Sequence, residues 1–124
     1  MGMSAKKIVI VDDEKDLLEA LRETLEIEGF DVTSFERVDD AIVYLQNNQE
    51  ADLVISDMRM PTKNGLDLAL AIRRDLKLNM PFVMISGFAD ITPQQLAEAK
   101  IIDFIPKPFA LSTFIQKINM LLKT

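Results

Sequence analysis

Short apolar runs alternate along this chain with longer segments in which apolar residues recur at helical spacing. The runs predict five strands, at residues 7–11, 32–35, 52–56, 82–86 and 102–105. In the third run Leu53, Val54 and Ile55 are apolar without interruption, which is typical of a central parallel strand covered on both faces. The alternation therefore predicts βαβ units, in which a helix connects each strand to the next one.

A stripe of apolar residues at helical spacing follows each predicted strand. The predicted helices lie between Asp13 and Gly29, at 37–48, at about 66–76, at 92–100, and along the stripe from Phe114 to Leu122. We expect Asp13 to cap the first helix and Gly29 to stop it. The third helix is expected to carry Arg73 and Arg74 on its exposed side.

The fourth helix has a strong start and a weak apolar face. Residues 92–95, Thr-Pro-Gln-Gln, combine an N-cap, a proline at the first helical position and a capping box. Up to residue 100 the helix offers only Leu96, Ala97 and Ala99 as apolar surface. We therefore expect it to be the least firmly anchored helix and the one that moves.

Five βα units in one chain of 124 residues predict a single α/β domain over residues 1–124. The expected architecture is flavodoxin-like, a doubly wound (βα)5 fold with a five-stranded parallel sheet of order 2-1-3-4-5. In that order the first, third, fourth and fifth strands are neighbours. Their carboxyl ends then meet in one crevice, where ligands bind in open α/β sheets.

Composition narrows the chemistry. The chain has no cysteine and no histidine, which excludes disulfides, thiol nucleophiles and imidazole-based triads. A net charge of −6 argues against direct contact with nucleic acid or an anionic membrane. No apolar run approaches the ~20 residues of a membrane span, and there is no signal-peptide core. We expect a cytoplasmic protein whose chemistry depends on carboxylates, hydroxyls or lysines.

Polar side chains end four of the five predicted strands. Asp12 and Asp13 follow the first, Asp57 the third, Ser86 closes the fourth and Lys107 follows the fifth. Three carboxylates a few ångströms apart would repel by roughly 3 kcal/mol per pair at an effective dielectric constant near 20, so a cation is expected among them. Mg²⁺, or Mn²⁺, fits a site with few carboxylates that also accepts phosphoryl oxygens.

This set of side chains suits phosphorylation of a carboxylate. Asp57 would attack a phosphoryl donor, a metal held by Asp12, Asp13 and Asp57 would screen the charge, and Lys107 with Ser86 would hold the phosphoryl oxygens. Each residue alone also has a structural explanation, because aspartates cap helices, serines form turns and lysines are solvated at surfaces. Their joint placement on neighbouring strand ends favours the chemical interpretation.

The same residues carry a resemblance to a known family. Asp12-Asp13, Asp57, Ser86 and Lys107-Pro108, each at the end of a core strand, resemble the receiver domain of two-component response regulators. The resemblance covers nearly the whole chain. It implies a phosphorelay signalling protein, not an enzyme, in which Asp57 accepts a phosphoryl group from the phosphohistidine of a sensor histidine kinase or a phosphotransfer protein.

The resemblance also implies roles for individual residues. The metal would be held by Asp12, Asp13, Asp57 and the backbone carbonyl of Arg59, and the Lys107-Pro108 bond would be cis. Ser86 and the aromatic Phe104 would form a coupled switch that changes the surface of the fourth helix, fifth strand and last helix. A partner, a second copy or an output domain would then dock there. Phe104 has no hydroxyl, so burial of its ring alone would report the state.

Two other functions compete with this interpretation. A haloacid-dehalogenase-like phosphatase also uses a strand-end aspartate, but that family has a second aspartate two residues on, where this chain has Arg59. A pseudo-receiver is an interaction module on the same fold that works without phosphorylation. Pseudo-receivers typically lose the acidic pair, the acceptor or the lysine, and this chain keeps all of them. The sequence leaves open whether the segment is a complete regulator or part of a longer protein.

Overall fold

The computed structural model describes residues 5–87 and 91–123. Its strands are β1 (Lys7–Val11), β2 (Asp31–Phe35), β3 (Leu53–Asp57), β4 (Phe82–Ser86) and β5 (Asp103–Pro106). Its helices are α1 (Lys15–Ile27), α2 (Val38–Asn47), α3 (Gly65–Leu70), α4 (Pro93–Glu98) and α5 (Leu111–Leu122), and α3 continues as a π-helical segment over Ala71–Asp75. The order of elements is the predicted alternation of strand and helix.

The strands form one parallel sheet in the order β2-β1-β3-β4-β5, which confirms the predicted fold. Register brings the strand ends level with one another: Val11 pairs with Ser56, Asp57 with Ile85, and Ser86 with Pro106. The chain positions that follow β1, β3, β4 and β5 therefore share one edge of the sheet. The Lys107-Pro108 peptide bond is cis, as predicted.

Alternate residues of the strands supply two hydrophobic layers, one on each face of the sheet. Ile8, Ile10, Leu53 and Ile55 lie in the layer covered by α1 and α5. The opposite layer, covered by α2, α3 and the residues after α4, contains these side chains: Val9, Val11, Val54, Leu45, Leu68, Ile72 and Ala99. Because helices cover both faces, β3 and β4 are buried along their whole length.

Several local predictions were wrong in detail. Glu14, not Asp13, occupies the N-cap of α1, and its side chain makes no capping hydrogen bond. The Glu14 N–H donates to the Asp12 carboxylate at 2.9 Å. The third helix is not uniformly α-helical, since residues 71–75 adopt π-helical hydrogen bonding. Arg73 is half-buried and bonded to three backbone carbonyls, so only Arg74 lies on the exposed side as predicted.

The fourth helix matches its sequence pattern. Thr92 and Gln95 form the predicted capping box, with the Thr92 hydroxyl accepting the Gln95 N–H at 3.1 Å and the Gln95 side chain accepting the Thr92 N–H at 2.9 Å. None of the helical residues Pro93–Glu98 is fully buried. Across the described ranges, no helix combines the length and the hydropathy needed to cross a bilayer.

Candidate functional site

Three carboxylates meet at the carboxyl edge of the sheet. Asp12 and Asp57 are buried, with 0% and 5% of their surface exposed, whereas Asp13 is exposed. One oxygen from each of Asp12, Asp13 and Asp57 lies within 4.8 Å of the others, an arrangement that could hold a metal ion. The cluster is therefore open to solvent on the side of Asp13 and enclosed by protein on the side of Asp12 and Asp57. The predicted cluster is therefore assembled by the fold.

Asp12 is the least satisfied member of this cluster. Its Oδ1 atom accepts the Glu14 N–H at 2.9 Å, while Oδ2 is buried and has no hydrogen-bond partner in the described part of the chain. Burial and the nearby charge of Asp57 together raise the pKa of Asp12 to about 6, against the influence of the Glu14 N–H. A buried carboxylate with an unmatched oxygen is costly to ionise unless a cation joins it. The donor set thus fits a hard divalent ion.

Lys107 provides the fixed positive charge of the site. Its Nζ atom lies 3.0 Å from Oδ1 of Asp57. Burial raises the pKa of Asp57, and the hydrogen bond and charge of Lys107 counteract part of that rise. Burial acts to lower the pKa of Lys107, but the hydrogen bond to Asp57 and the negative charges of Asp57, Asp12 and Glu14 together outweigh burial, so the pKa is raised. The pair therefore places the Lys107 ammonium directly against the carboxyl group of Asp57.

Ser86 and Phe104 lie on the two strands beyond Asp57. Ser86 is buried at the end of β4, and its hydroxyl donates to the Gly87 carbonyl at 2.9 Å. Phe104 pairs with Met84 on the neighbouring strand and has 39% of its surface exposed. The structure thus places the two residues on adjacent strands, with the aromatic ring partly in solvent.

The loop after β3 approaches the site so closely that a glycine is required. A Cβ atom at Gly65 would lie 2.5 Å from the Asp57 carbonyl oxygen and 2.6 Å from Sδ of Met84. The Gly65 N–H also donates to the Met58 carbonyl at 2.9 Å, which folds the loop back on the strand end. Sequence reasoning missed Gly65. Its position at the start of a helix beside a functional strand end was the available signal, since glycine permits close backbone approach.

Arg59 follows Met58 in this loop, and its side chain is exposed. Together with Asp13, Met58, Met60, Pro61 and Asn64 it lines an open cleft of about 490 Å³. The cleft gives a route by which a small molecule or a partner's side chain could reach the acidic cluster from solvent.

Ser56 is a second residue that sequence reasoning missed. It is buried, and its hydroxyl donates to the Asp57 carbonyl at 2.9 Å.

Comparison with known proteins assigns the family. The family model described as the response regulator receiver domain matches residues 8–119. The chain belongs to this family, which is a family of signalling domains and not of classical enzymes. Receiver domains generally bind Mg²⁺ through an acidic pocket, and the Asp12, Asp13 and Asp57 cluster corresponds to such a pocket.

Individual relatives agree with this assignment. The chain is 37% identical over 116 residues to the C4-dicarboxylate transport transcriptional regulatory protein DctD of Rhizobium meliloti (strain 1021), covering 91% of this chain and 24% of DctD. It is 32% identical over 118 residues to the transcriptional regulatory protein CpxR of Escherichia coli (strain K12), covering 94% of this chain and 49% of CpxR. The chain thus spans about a quarter and about half of these two relatives.

A solved structure agrees as well. The crystal structure of FixJ-N superposes with a TM-score of 0.82 at 28% identity, covering 96% of this chain and 94% of that one. The correspondence extends over almost the whole of both chains.

Proposed function

We propose that this chain is a phosphorylated signalling switch in which Asp57 is the phosphoacceptor. The observation that carries the proposal is the pairing of a buried strand-end carboxylate with two further carboxylates within 4.8 Å and with the Lys107 ammonium at 3.0 Å. A nucleophilic carboxylate needs positive charge close by to accept a dianionic phosphoryl group. Membership of the receiver family supports the same function.

The transfer step follows from the chemistry of the acceptor. A carboxylate oxygen of Asp57 attacks the phosphorus of a phosphohistidine on a sensor histidine kinase or a phosphotransfer protein. The new O–P bond forms as the P–N bond breaks, and the released electron pair returns to the imidazole nitrogen of the donor. The Lys107 ammonium stabilises the negative charge of the incoming phosphoryl oxygens, and Ser86 donates its hydroxyl to one of them.

Asp12, Asp13, Asp57 and the backbone carbonyl of Arg59 would hold Mg²⁺ or Mn²⁺. When bound, the ion supplies charge neutralisation for the acidic cluster and for the phosphoryl oxygens. The unmatched Oδ2 atom of Asp12 supports this ligand set, because a buried carboxylate oxygen without a donor is otherwise unsatisfied.

The proposed output depends on Ser86 and Phe104. Ser86 would turn from the Gly87 carbonyl toward a phosphoryl oxygen, which makes room beside β4. The ring of Phe104, now 39% exposed, would then turn inward, and burial of an aromatic ring contributes on the order of 2 kcal/mol. The surface formed by α4, β5 and α5 would change shape and become the docking site for a second copy, a partner or an output domain.

The setting we propose is a cytoplasmic two-component system. The relatives DctD and CpxR are both named transcriptional regulatory proteins, and this chain matches only part of each. A regulatory output carried by a further domain or by a separate partner is consistent with that partial coverage. Direct nucleic-acid contact by this segment is not expected, because its net charge is −6.

Incubation with acetyl phosphate and Mg²⁺, followed by intact mass measurement, tests the phosphoacceptor assignment. Wild-type protein should gain the mass of one phosphoryl group, and Asp57→Asn should gain none. Asp52→Asn is a useful control, because Asp52 lies before the same strand and its carboxylate accepts the Lys7 N–H at 2.8 Å, away from the cluster. Phosphorylation of the Asp57→Asn protein would refute the assignment, and an unmodified wild type would favour the pseudo-receiver alternative.

The metal site and the switch need separate measurements. Asp13→Ala should weaken Mg²⁺ binding by at least tenfold, and unchanged affinity would contradict the proposed ligand set.

Beryllofluoride, which mimics the phosphoryl group, should alter amide signals of residues 92–100 and of Phe104 in wild-type protein. Changes restricted to the Asp57 loop would contradict the proposed output surface.

A further inference from the structure

The C-terminal end of α4 accepts hydrogen bonds from a side chain of another element. Arg73, in the π-helical segment, donates from Nε to the Ala99 carbonyl at 3.0 Å and from Nη2 to the Lys100 carbonyl at 3.0 Å. Its Nη1 atom donates to the Leu78 carbonyl at 2.9 Å. One planar guanidinium therefore joins the chain after the π-helical segment to the end of α4, a task that suits the rigid fork of arginine.

The end of α4 is shaped to receive this side chain. Lys100 has a φ of 53°, the left-handed conformation of a helix C′ residue. The Lys100 N–H donates to the Ala97 carbonyl at 3.2 Å and the Ile101 N–H to the Leu96 carbonyl at 3.0 Å, which together form a Schellman motif. The carbonyls of Ala99 and Lys100, at this turn, accept the hydrogen bonds that Arg73 donates.

The residues just after α4 lie at the start of β4. Just beyond the C-terminal end, the Ile102 N–H donates to the carbonyl of Phe82, the first residue of β4, at 2.9 Å. The N-terminal end follows Gly87 in sequence by only a few residues, and Gly87 comes directly after Ser86 at the carboxyl edge. Arg73 therefore holds the end of α4 that lies near the start of β4, whereas the N-terminal end is the one closer in sequence to Ser86.

The attachments of the two ends differ in kind. At the N-terminal end the capping box joins Thr92 only to Gln95 of the same helix, and both Thr92 and Pro93 are exposed. At the C-terminal end Ala99 is fully buried, and Arg73 adds two charge-assisted hydrogen bonds, to the carbonyls of Ala99 and Lys100. The neighbouring Arg74 reaches Glu98 only at 3.8 Å across an exposed surface, where such pairs contribute little.

We propose that Arg73 is the positioning residue of α4, which fixes the C-terminal end of the helix in both signalling states so that switching displaces the N-terminal end. This inference deepens the proposed function and rests on it. The C-terminal end of α4, near the start of β4, would stay in place while the rest of the helix moves. A small movement at Ser86 is then converted into a rotation of the helix, and the part of the output surface nearest Phe82 keeps its structure.

Amide exchange and the side-chain resonance of Arg73 test this inference. In wild-type protein, beryllofluoride with Mg²⁺ should change the exchange rates of the Gln95 and Leu96 amides and leave those of Ala99, Lys100 and Ile101 within about twofold. The Arg73 Nε–Hε signal should remain hydrogen-bonded in both states. Loss of that signal on adding beryllofluoride, or equal changes at both ends of α4, would overturn the proposal.

Variants separate the positioning role from general stability. Arg73→Met should raise exchange of the Ala99, Lys100 and Ile101 amides by at least about tenfold even without beryllofluoride. The substitution removes both hydrogen bonds to this end of α4, and the loss of one charge-assisted hydrogen bond already has an effect of that size. Arg73→Lys should recover little, because one ammonium cannot reach both segments. Arg74→Met is the matched control and should leave these amides unchanged. Equal effects of the Arg73→Met and Arg74→Met substitutions would overturn the proposal.

The two proposals fail in different ways. A wild-type protein that shows no response to beryllofluoride at any residue refutes the proposed function and removes the switching role of Arg73 with it. A protein that responds at Asp57 and at both ends of α4 retains the proposed function and refutes only the fixed end. If Arg73→Met leaves exchange of the Ala99, Lys100 and Ile101 amides unchanged, the positioning role of Arg73 is refuted. The phosphoacceptor assignment is then unaffected.

Discussion

Lys107 reaches across the end of β4 to place its ammonium 3.0 Å from the carboxylate of Asp57 on β3. The same carboxylate belongs to the acidic cluster, so the ammonium and a divalent ion would compete for its negative charge. A metal ion bound at the cluster would therefore be repelled by the Lys107 ammonium.

Lys107→Met should tighten Mg²⁺ binding and slow phosphorylation. Removal of the ammonium takes away its repulsion of the metal, which we expect to lower the Mg²⁺ dissociation constant by roughly tenfold. The same change removes a group that would stabilise phosphoryl oxygens, so the acetyl phosphate reaction should be slower. The chain has no tryptophan, so calorimetry is the suitable titration. Lys117→Met, which removes a cation paired with Asp103 at 2.9 Å, is the control. Weaker Mg²⁺ binding by the Lys107→Met protein would contradict the prediction.

The buried carboxylate of Asp12 should make the metal-free protein less stable as the pH rises. The pKa of Asp12 is about 6 in the folded state, compared with 3.8 for an unperturbed aspartate such as that of the unfolded chain. Between these two pH values the aspartate is ionised in the unfolded chain and protonated in the folded protein. Folding stability is then greatest at the low end of this window and falls by roughly 3 kcal/mol across it. The fall should end above about pH 6.

Urea denaturation from pH 4 to 7 in the presence of a chelator measures this effect. Asp12→Asn should reduce the pH dependence to the part that comes from the raised pKa of Asp57. The variant should also be more stable than wild type at pH 7, because it removes the buried charge of Asp12. Saturating Mg²⁺ should also flatten the wild-type curve. Equal slopes for wild type and the Asp12→Asn protein without metal would contradict the assigned role of burial.

Gly65→Ala should disturb the phosphoacceptor through its backbone. The added Cβ would lie 2.5 Å from the Asp57 carbonyl oxygen and 3.1 Å from Cα of Met58, so the loop after β3 must move. Overpacking of this kind costs about 2 kcal/mol, and we expect slower phosphorylation as well.

A second glycine offers a matched control for that variant. Gly29 has a φ of 97° and open space around it, so Gly29→Ala should cost about 1 kcal/mol through backbone strain alone. Phosphorylation and Mg²⁺ affinity should be unchanged in the Gly29→Ala protein. If both variants lowered the phosphorylation rate equally, close approach at Gly65 would not be the cause.

Lys100→Gly should stabilise the protein. Lys100 adopts a φ of 53° at the end of α4, a conformation that costs most residues about 1 kcal/mol and glycine much less. Thermal unfolding should shift upward, whereas Lys100→Ala should not gain, since alanine has the same steric restriction. An equal gain from alanine would point to the lost charge and not to the backbone.

The fold was largely predictable because its signals are local and repeated. Uninterrupted apolar runs such as Leu53 to Ile55 require a sheet covered on both faces, and helical stripes between them require crossover connections. The ends of the strands could therefore be predicted from the positions at which polar residues follow the apolar runs. The cluster of Asp12, Asp13 and Asp57 was predictable for the same reason, since parallel strands bring their carboxyl ends to one edge.

The tertiary structure alone decided which polar groups bond across elements. Arg73 is a charged residue at a helical position that the apolar spacing predicts to be exposed. Its hydrogen-bond partners, the carbonyls of Ala99 and Lys100, are set by how α4 packs. The need for glycine at position 65 likewise arises from the approach of two backbones. Hydrophobic periodicity acts within one element and is written in the local sequence, whereas the hydrogen bonds of Arg73 and the clearance at Gly65 depend on distances between elements, which only the folded chain sets.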